Sequence, residues 1–439
     1  MKRSKILCLL VVLLSNLGQL FPEQRLKVES LPEDFSTKVF SHIIHLAGLG
    51  HRQAGSENDK LAAQYIKDQF ENMNIDVEIQ PFEFESFEYT DVGFEVESRQ
   101  IPVVGLGFNP YKNKRKYEGT AFLIDLHSSE IHITQEKLEG KVIVTNNWNG
   151  HFRLLRYKPK LIITVDSHDF ETLKPQKEIR FKLNVEGEYK KYRSVNIIGK
   201  VGNKRSSPRE MLITAHYDTY RKNNPGASDN ASGVGIVLEL ARYFKKVEDK
   251  LNGTVKFVCF GGEEIGIVGS RNYLYDNAHS LKQCELLFNI DDVGGNGSVL
   301  VEMTGGVNGI PEIKCASQIP ENLKTCSWEG VNSKWRMLAD EDLMKIMIAS
   351  NHPQWLVDVV NKSVKELGYE IVPTGTQGSD QLTFAQAGIV TSGVGIISKH
   401  SHTPQDIPEK IYKKSLMTAG KIAAYVVLNT LNRFKEKYS

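Results

Sequence analysis

The chain has 439 residues, a formal charge of +2, and apolar and charged contents ordinary for a globular protein. That length holds roughly two to three domains. Short basic runs such as "KNKRK" (112–116) and "YKKYR" (189–193) read as solvated loops, so the expectation excludes nucleic acid and an anionic membrane as partners.

In chain order, "MKRSK" (1–5) carries three positive charges and precedes the apolar run "ILCLLVVLL" (6–14). That run is far short of the ~20 residues a membrane span needs. A basic start and a short apolar stretch read as an export signal over 1–20, with an uncleaved anchor as the alternative. Small and polar residues in "SNLGQ" (15–19) leave its end undefined, and no other stretch resembles a transmembrane helix. The expected location is exported: secreted, periplasmic or cell-surface.

Residues 30–95 read as the first part of the main domain. Over 56–84, Leu61, Tyr65, Ile66 and Phe70 fall on one helical face, with Ser56 or Asn58 as cap; a short alternating strand with Val77, Ile79 and Phe82 follows. Between 96 and 188 the texture changes to short β-like runs ("TAFLIDL", "GKVIVTNNW", "PKLIITVD") and basic loops, which reads as an inserted β-rich domain. The main domain resumes over 189–439, where strands and helices alternate. Strands are expected at 210–216, 254–260, 284–291 and 388–396, and helices at 230–247, 266–277, 351–368 and 408–431. This rhythm predicts an α/β fold with a mostly parallel mixed sheet and helices on both faces. In such a sheet, the loops at the carboxyl ends of the strands form the active crevice. Of five cysteines, Cys8 lies in the signal segment and Cys259 and Cys284 in apolar runs. Cys315 and Cys326 share a loop-rich segment and are candidates to bridge.

The chemistry sits after the strands. "AHYDT" supplies His216 and Asp218, "GASDNASG" Asp229, "GGEE" Glu263 and Glu264, "NIDDVGG" Asp291 and Asp292, and "KHSHTPQD" His400, His402 and Asp406. Each alone has an ordinary reading: a strand-end histidine, a helix-capping Asp229, an acidic pair in a glycine-rich turn. Together they gather imidazoles and carboxylates at one sheet edge without thiolate, a donor set that suits zinc better than cobalt or manganese. Their number points to two ions, one beside His216 and one beside His402, with a carboxylate such as Asp229 between them. Asp218, two residues after His216 on an extended segment, points the same way and is placed to accept the imidazole N–H. Gly261 and Gly262 permit a sharp turn that brings both glutamates to the metals. One can ligate while its uncoordinated neighbour carries a water's proton.

The order HxD, GASDNASG, GGEE, NID and SHTxxD resembles the zinc exopeptidases that include bacterial leucyl aminopeptidases, aminopeptidase Y and the glutamate carboxypeptidases. The resemblance covers roughly 30–90 and 190–435. It implies His216, Asp229, Glu264, Asp291 and His402 as ligands of two zinc ions, Asp229 bridging, Glu263 as general base and Asp218 as the residue orienting His216. It also implies a phosphorylase/hydrolase-like zinc peptidase fold, with 96–188 resembling a protease-associated domain and "GSDQLTF" (378–384) a family loop carrying Ser379 and Asp380. Asp292 stands where the family often has an apolar residue, so it competes with Asp291, which is preferred. His400 competes with His402, for which "HTPQD" decides. In this group the peptide after the bridging aspartate is often cis.

The activity implied is hydrolysis of peptide substrates, with an aminopeptidase favoured over a carboxypeptidase or dipeptidase of the same family. A carboxypeptidase would need a basic group such as Arg221, Arg271 or Arg336. A single-zinc glutaminyl cyclase and a metal-free receptor-like binding protein are the rival classes. The segment 301–350 is expected to help shape the substrate pocket.

Overall fold

The computed structural model describes residues 31–108, 116–125, 138–146, 159–202, 209–220, 223–297, 299–304, 353–368, 373–374 and 378–438. The signal segment, Arg221, Cys315, Cys326, Arg336 and the pocket segment from 305 to 350 lie outside the described residues.

The chain begins with α1 (Phe35–Gly48), α2 (Glu57–Asn72), β1 (Asp76–Val96), β2 (Arg99–Gln100), β3 (Val103–Phe108), β4 (Lys116–Ile124), β5 (Val142–Thr145) and β6 (Leu161–Val165). Then come α3 (Ser167–Leu173), β7 (Glu178–Gly202), β8 (Glu210–His216), α4 (Gly233–Lys246), β9 (Thr254–Phe260), α5 (Val268–Asp276) and β10 (Cys284–Ile290). The described part closes with β11 (Leu300–Thr304), α6 (Gln354–Glu366), β12 (Pro373–Thr374), α7 (Gln381–Gln386), β13 (Thr391–Gly395) and α8 (Lys413–Tyr438).

The strands hydrogen-bond in the order β12-β11-β13-β10-β8-β9-β7-β4-β5-β6-β3, with β1 on β7 and β2 on β1. The centre, β13-β10-β8-β9, is parallel throughout. Every residue of β8 and β9 is buried, which is why these strands read as continuous apolar runs. Alternate side chains serve two cores. Met211, Ile213, Ala215, Phe257 and Phe288 face α1, α4 and α8, while Leu212, Val258, Phe260 and Leu287 face Tyr273 and Leu274 of α5 and Phe384 of α7. Helices therefore cover both faces of an α/β sheet. A further core, including Phe94, Ile163, Phe170, Phe181 and Leu183, lies within residues 94–185.

Two local readings change. Ser56 caps α2 by accepting the Asp59 N–H, but the buried stripe of α2 runs through Ala62, Ala63, Ile66 and Phe70, and Leu61 is 47% exposed. Leu61 and Ile66 are five residues apart, about 140° around a helix, so one cannot share the other's face. The strand after α2 is far longer than its alternation suggested. β1 pairs antiparallel with β7 from Asp76 to Val96, and its buried side chains near the main core are Gln80, Phe82 and Phe84, while Ile79 is 39% exposed.

Candidate active site and metal centre

The parallel centre brings the carboxyl ends of β8, β9 and β10 to one edge. His216 is the last residue of β8, Glu263 and Glu264 follow β9, Asp291 follows β10, and His402 lies in a turn after β13. His216 Nε2 is 3.1 Å from Asp291 Oδ1 and 3.2 Å from Asp229 Oδ1. His402 Nε2 is 2.8 Å from Asp229 Oδ2 and 3.4 Å from Glu264 Oε1. The two oxygens of Asp229 thus face two different imidazoles. The donor atoms of His216, Asp229 and Asp291 lie within 4.8 Å of one another, as do those of Asp229, Glu264 and His402, and those of His216, Glu263 and Glu264.

Local chain geometry produces this convergence. Gly262 takes φ +71°, a conformation only glycine adopts without cost, and Glu263 O then accepts the N–H of Gly266 and of Ile267. The resulting turn puts both glutamates on the side of His216. Asp229 belongs to an irregular turn, Ala227–Ser232, with the Asp229–Asn230 peptide cis. Asp229 does not cap the following helix: Ser232 holds the N-cap position, and Asn230 Oδ1 accepts the Gly233 N–H at 3.0 Å. Asp406 holds the turn from outside, accepting the N–H of Ser228 at 2.8 Å and of Asp229 at 3.0 Å.

Asp218 does more than its spacing implied. His216 Nδ1 lies 3.2 Å from the Asp218 carbonyl oxygen and 3.5 Å from its carboxylate. The carboxylate itself accepts the Glu263 N–H at 3.0 Å and the Glu264 N–H at 3.2 Å, tying the glutamate turn to the histidine strand. Asp291 and Asp292 part company. Asp291 faces His216, whereas Asp292, at φ +47°, is buried and accepts from the hydroxyls of Ser228 and Ser401 (2.7 Å for Ser401) and from the Ser398 N–H. His400 and His402 are on a turn, so the shared-face argument does not apply; His402 meets the cluster, and the backbone of His400 accepts the Thr403 hydroxyl at 2.6 Å.

The site is dense in buried charge. Burial pulls the His402 imidazole down, but the carboxylates of Glu264 and Asp229 more than offset it and hold the group at about 12. Burial likewise opposes protonation of His216, yet Asp291 and Glu263 keep it well above its ordinary value. Burial pushes Glu264 up to about 7 and Glu263 well above its usual range, while Asp229, despite burial, is lowered by the two histidines. Glu264 Oε1 is buried without a hydrogen-bond partner. Closely packed carboxylates and imidazoles of this kind fit divalent zinc, whose charge offsets the repulsion and whose preferred donors are nitrogen and oxygen.

Two participants had weak sequence signals. Asp380, in the loop before α7, is fully buried; burial raises it to about 7 against the pull of His216. Arg52, in "HRQAG" ahead of α2, is fully buried and donates to backbone carbonyls of the segment between His216 and Asp229.

Imidazoles and carboxylates gathered at the carboxyl edge of a parallel sheet make a candidate metal centre. Residues 196–312, which hold His216, Asp229, Glu264 and Asp291, match the model of Peptidase family M28. The chain is 26% identical to aminopeptidase YwaD of Bacillus subtilis, over 91% of this chain and 85% of that protein. Its fold is similar to that of an aminopeptidase from Aneurinibacillus sp. strain AM-1, at TM-score 0.62 and 20% identity over 89% of this chain and 93% of the other. It is also similar to BSAP, a zinc aminopeptidase from Bacillus subtilis, at TM-score 0.58 and 20% identity over 92% and 96%. The resemblance read in the sequence holds over the segment that carries the site: residues 196–312 match a peptidase family, and the protein is a hydrolase acting on peptide bonds.

Proposed function

We propose that the protein is an exported aminopeptidase that holds two zinc ions. The observation carrying this reading is Asp229, whose two oxygens are directed at His216 Nε2 and His402 Nε2, 3.2 and 2.8 Å away. His216, Asp229 and Asp291 would hold one ion and Asp229, Glu264 and His402 the other. The similarity to YwaD over most of both chains supports aminopeptidase action, and the basic and apolar start of the sequence supports export. No helix among the described residues is long and apolar enough to cross a membrane. The segment 96–188 is read as an inserted protease-associated-like module, supported by the separate core around Phe94, Phe170 and Phe181.

Bound zinc would polarise the substrate carbonyl and ease deprotonation of water. The remaining work falls to side chains. Glu263, next to a ligand yet free of one in this reading, accepts the proton of the attacking water at its carboxylate. It then delivers that proton to the leaving amine nitrogen. Asp218 fixes the Glu263 and Glu264 backbone and restrains the His216 ring, so base and ligands keep one geometry.

A panel of aminoacyl-p-nitroanilides, N-blocked peptides, C-terminally free peptides and N-terminal glutaminyl peptides tests the reading, with zinc measured on the same sample. Hydrolysis confined to substrates with a free N-terminal amine, lost to chelator and restored by zinc, is expected. Cleavage that ignores N-terminal blocking, or cyclisation of the glutaminyl peptides alone, would overturn it.

A further inference from the structure

We propose that Arg52 is a positioning residue for the carboxylate Asp229. It would clamp the two ends of the connection that runs from His216 to the turn, so that Asp229 presents its two oxygens to two ions; this rests on the two-zinc reading above.

The guanidinium is 0% exposed and spends its donors on main-chain carbonyls. Nε donates to Tyr217 O at 2.9 Å, Nη1 to Leu46 O at 3.0 Å and Pro225 O at 2.5 Å, and Nη2 to Gly226 O at 3.0 Å. The Arg52 N–H also donates to Thr219 Oγ1 at 2.9 Å. Tyr217 directly follows His216, and Gly226 lies three residues before Asp229. Arg52 therefore binds both ends of the connection between the two side chains that face each other at the site.

The far side of the turn is held by the opposite charge. Asp406 accepts the N–H groups of Ser228 and Asp229, so carbonyls of Pro225 and Gly226 point to a buried cation and the next N–H groups to a buried anion. The clamp leaves no slack. Gly226 has φ +60°, and a Cβ there would come within 2.3 Å of Thr219 Cγ2, 2.5 Å of Asp229 O and 3.0 Å of Arg52 Nη2. A lysine in place of Arg52 keeps the charge but cannot span several carbonyls in one plane. Burial lowers the Arg52 pKa to about 10, against the pull of Asp406, Asp218 and Asp229, so the cation persists at neutral pH.

The test compares wild type with Arg52→Lys, Arg52→Met and Thr219→Val. Each is stripped with chelator, reloaded, and assayed for zinc affinity by competition with a chromophoric chelator, for the rise in Tm on adding zinc, and for kcat/KM. Arg52→Lys and Arg52→Met are expected to bind zinc at least about tenfold more weakly, to gain less Tm from zinc, and to lose kcat/KM in parallel. Thr219→Val should move the same readouts by a smaller factor. If Arg52→Met fails to fold, the other two variants decide. Variants that melt at lower temperature yet bind zinc within twofold of wild type would show a purely structural residue and overturn the inference. A wild-type protein that takes up no zinc would instead overturn the two-zinc reading itself.

Discussion

Asp218→Asn probes the link between the glutamate turn and the histidine strand. The Asp218 side chain is fully buried, and its two oxygens receive one peptide N–H each, from Glu263 at 3.0 Å and Glu264 at 3.2 Å. Asparagine supplies one oxygen and one amide NH2, so one buried N–H meets a donor instead of an acceptor. A buried unsatisfied donor costs about 1–3 kcal/mol. If that cost falls on the transition state, because the base and one ligand are displaced together, kcat/KM drops roughly 5- to 150-fold. Asp218→Ala strands both N–H groups and should lose more. The assay is steady-state hydrolysis of an aminoacyl-p-nitroanilide with zinc content and Tm measured on the same preparations. A kcat/KM for Asp218→Asn within twofold of wild type would refute the reasoning, because it would show that the turn keeps its geometry without the second acceptor.

Glu263→Gln should keep its zinc and lose about 10²- to 10⁴-fold in kcat, the usual worth of a general base; near-wild-type turnover would remove Glu263 from that role. Zinc ligation requires neutral imidazole, yet the carboxylates of Glu264 and Asp229 hold His402 at about 12 against the effect of burial. Calorimetry in buffers of different ionisation enthalpy should therefore show at least about one proton released as zinc binds near neutral pH, and zinc affinity falling as pH falls; binding without proton release would contradict this. Asp59 is raised by burial from 3.8 to about 7. A carboxyl raised in the fold favours the folded state when protonated, so its stabilising effect is complete below about pH 4 and is lost as pH rises to about 7. Asp59→Asn, which retains an acceptor for the Gly55 N–H, should gain up to a few kcal/mol over wild type at pH 8 and much less at pH 5; equal melting differences at the two pH values would contradict it.

The site was legible where local order and sheet topology coincide. His216 ends, and Glu264 and Asp291 follow, strands that read as apolar runs, and a parallel sheet delivers such positions to one edge whatever their separation along the chain. Contacts across the chain were less visible. Arg52 stands 164 residues before His216 in a segment that resembles an ordinary turn, and its role appears only when its carbonyl partners are placed. An arginine among small residues just ahead of a capped helix was the available signal, and a weak one. Asp218 was read from its spacing to His216, but its hydrogen bonds run to a turn 45 residues later. Asp291 was preferred to Asp292 on the family resemblance alone; the physical difference lies in the positive φ of Asp292 and its seryl partners. Leu61 and Ile79 misled for one reason: apolar identity indicates burial only when the period of the element is also right.

The most direct test of the account is a zinc titration of chelator-stripped protein in which bound zinc and aminoacyl-p-nitroanilide hydrolysis are recorded together. Hydrolysis should return as bound zinc approaches two ions per chain, and His402→Ala should take up about one and stay inactive. Full hydrolysis in the presence of chelator, or saturation with zinc at one ion per chain at full activity, would contradict the two-ion centre around Asp229.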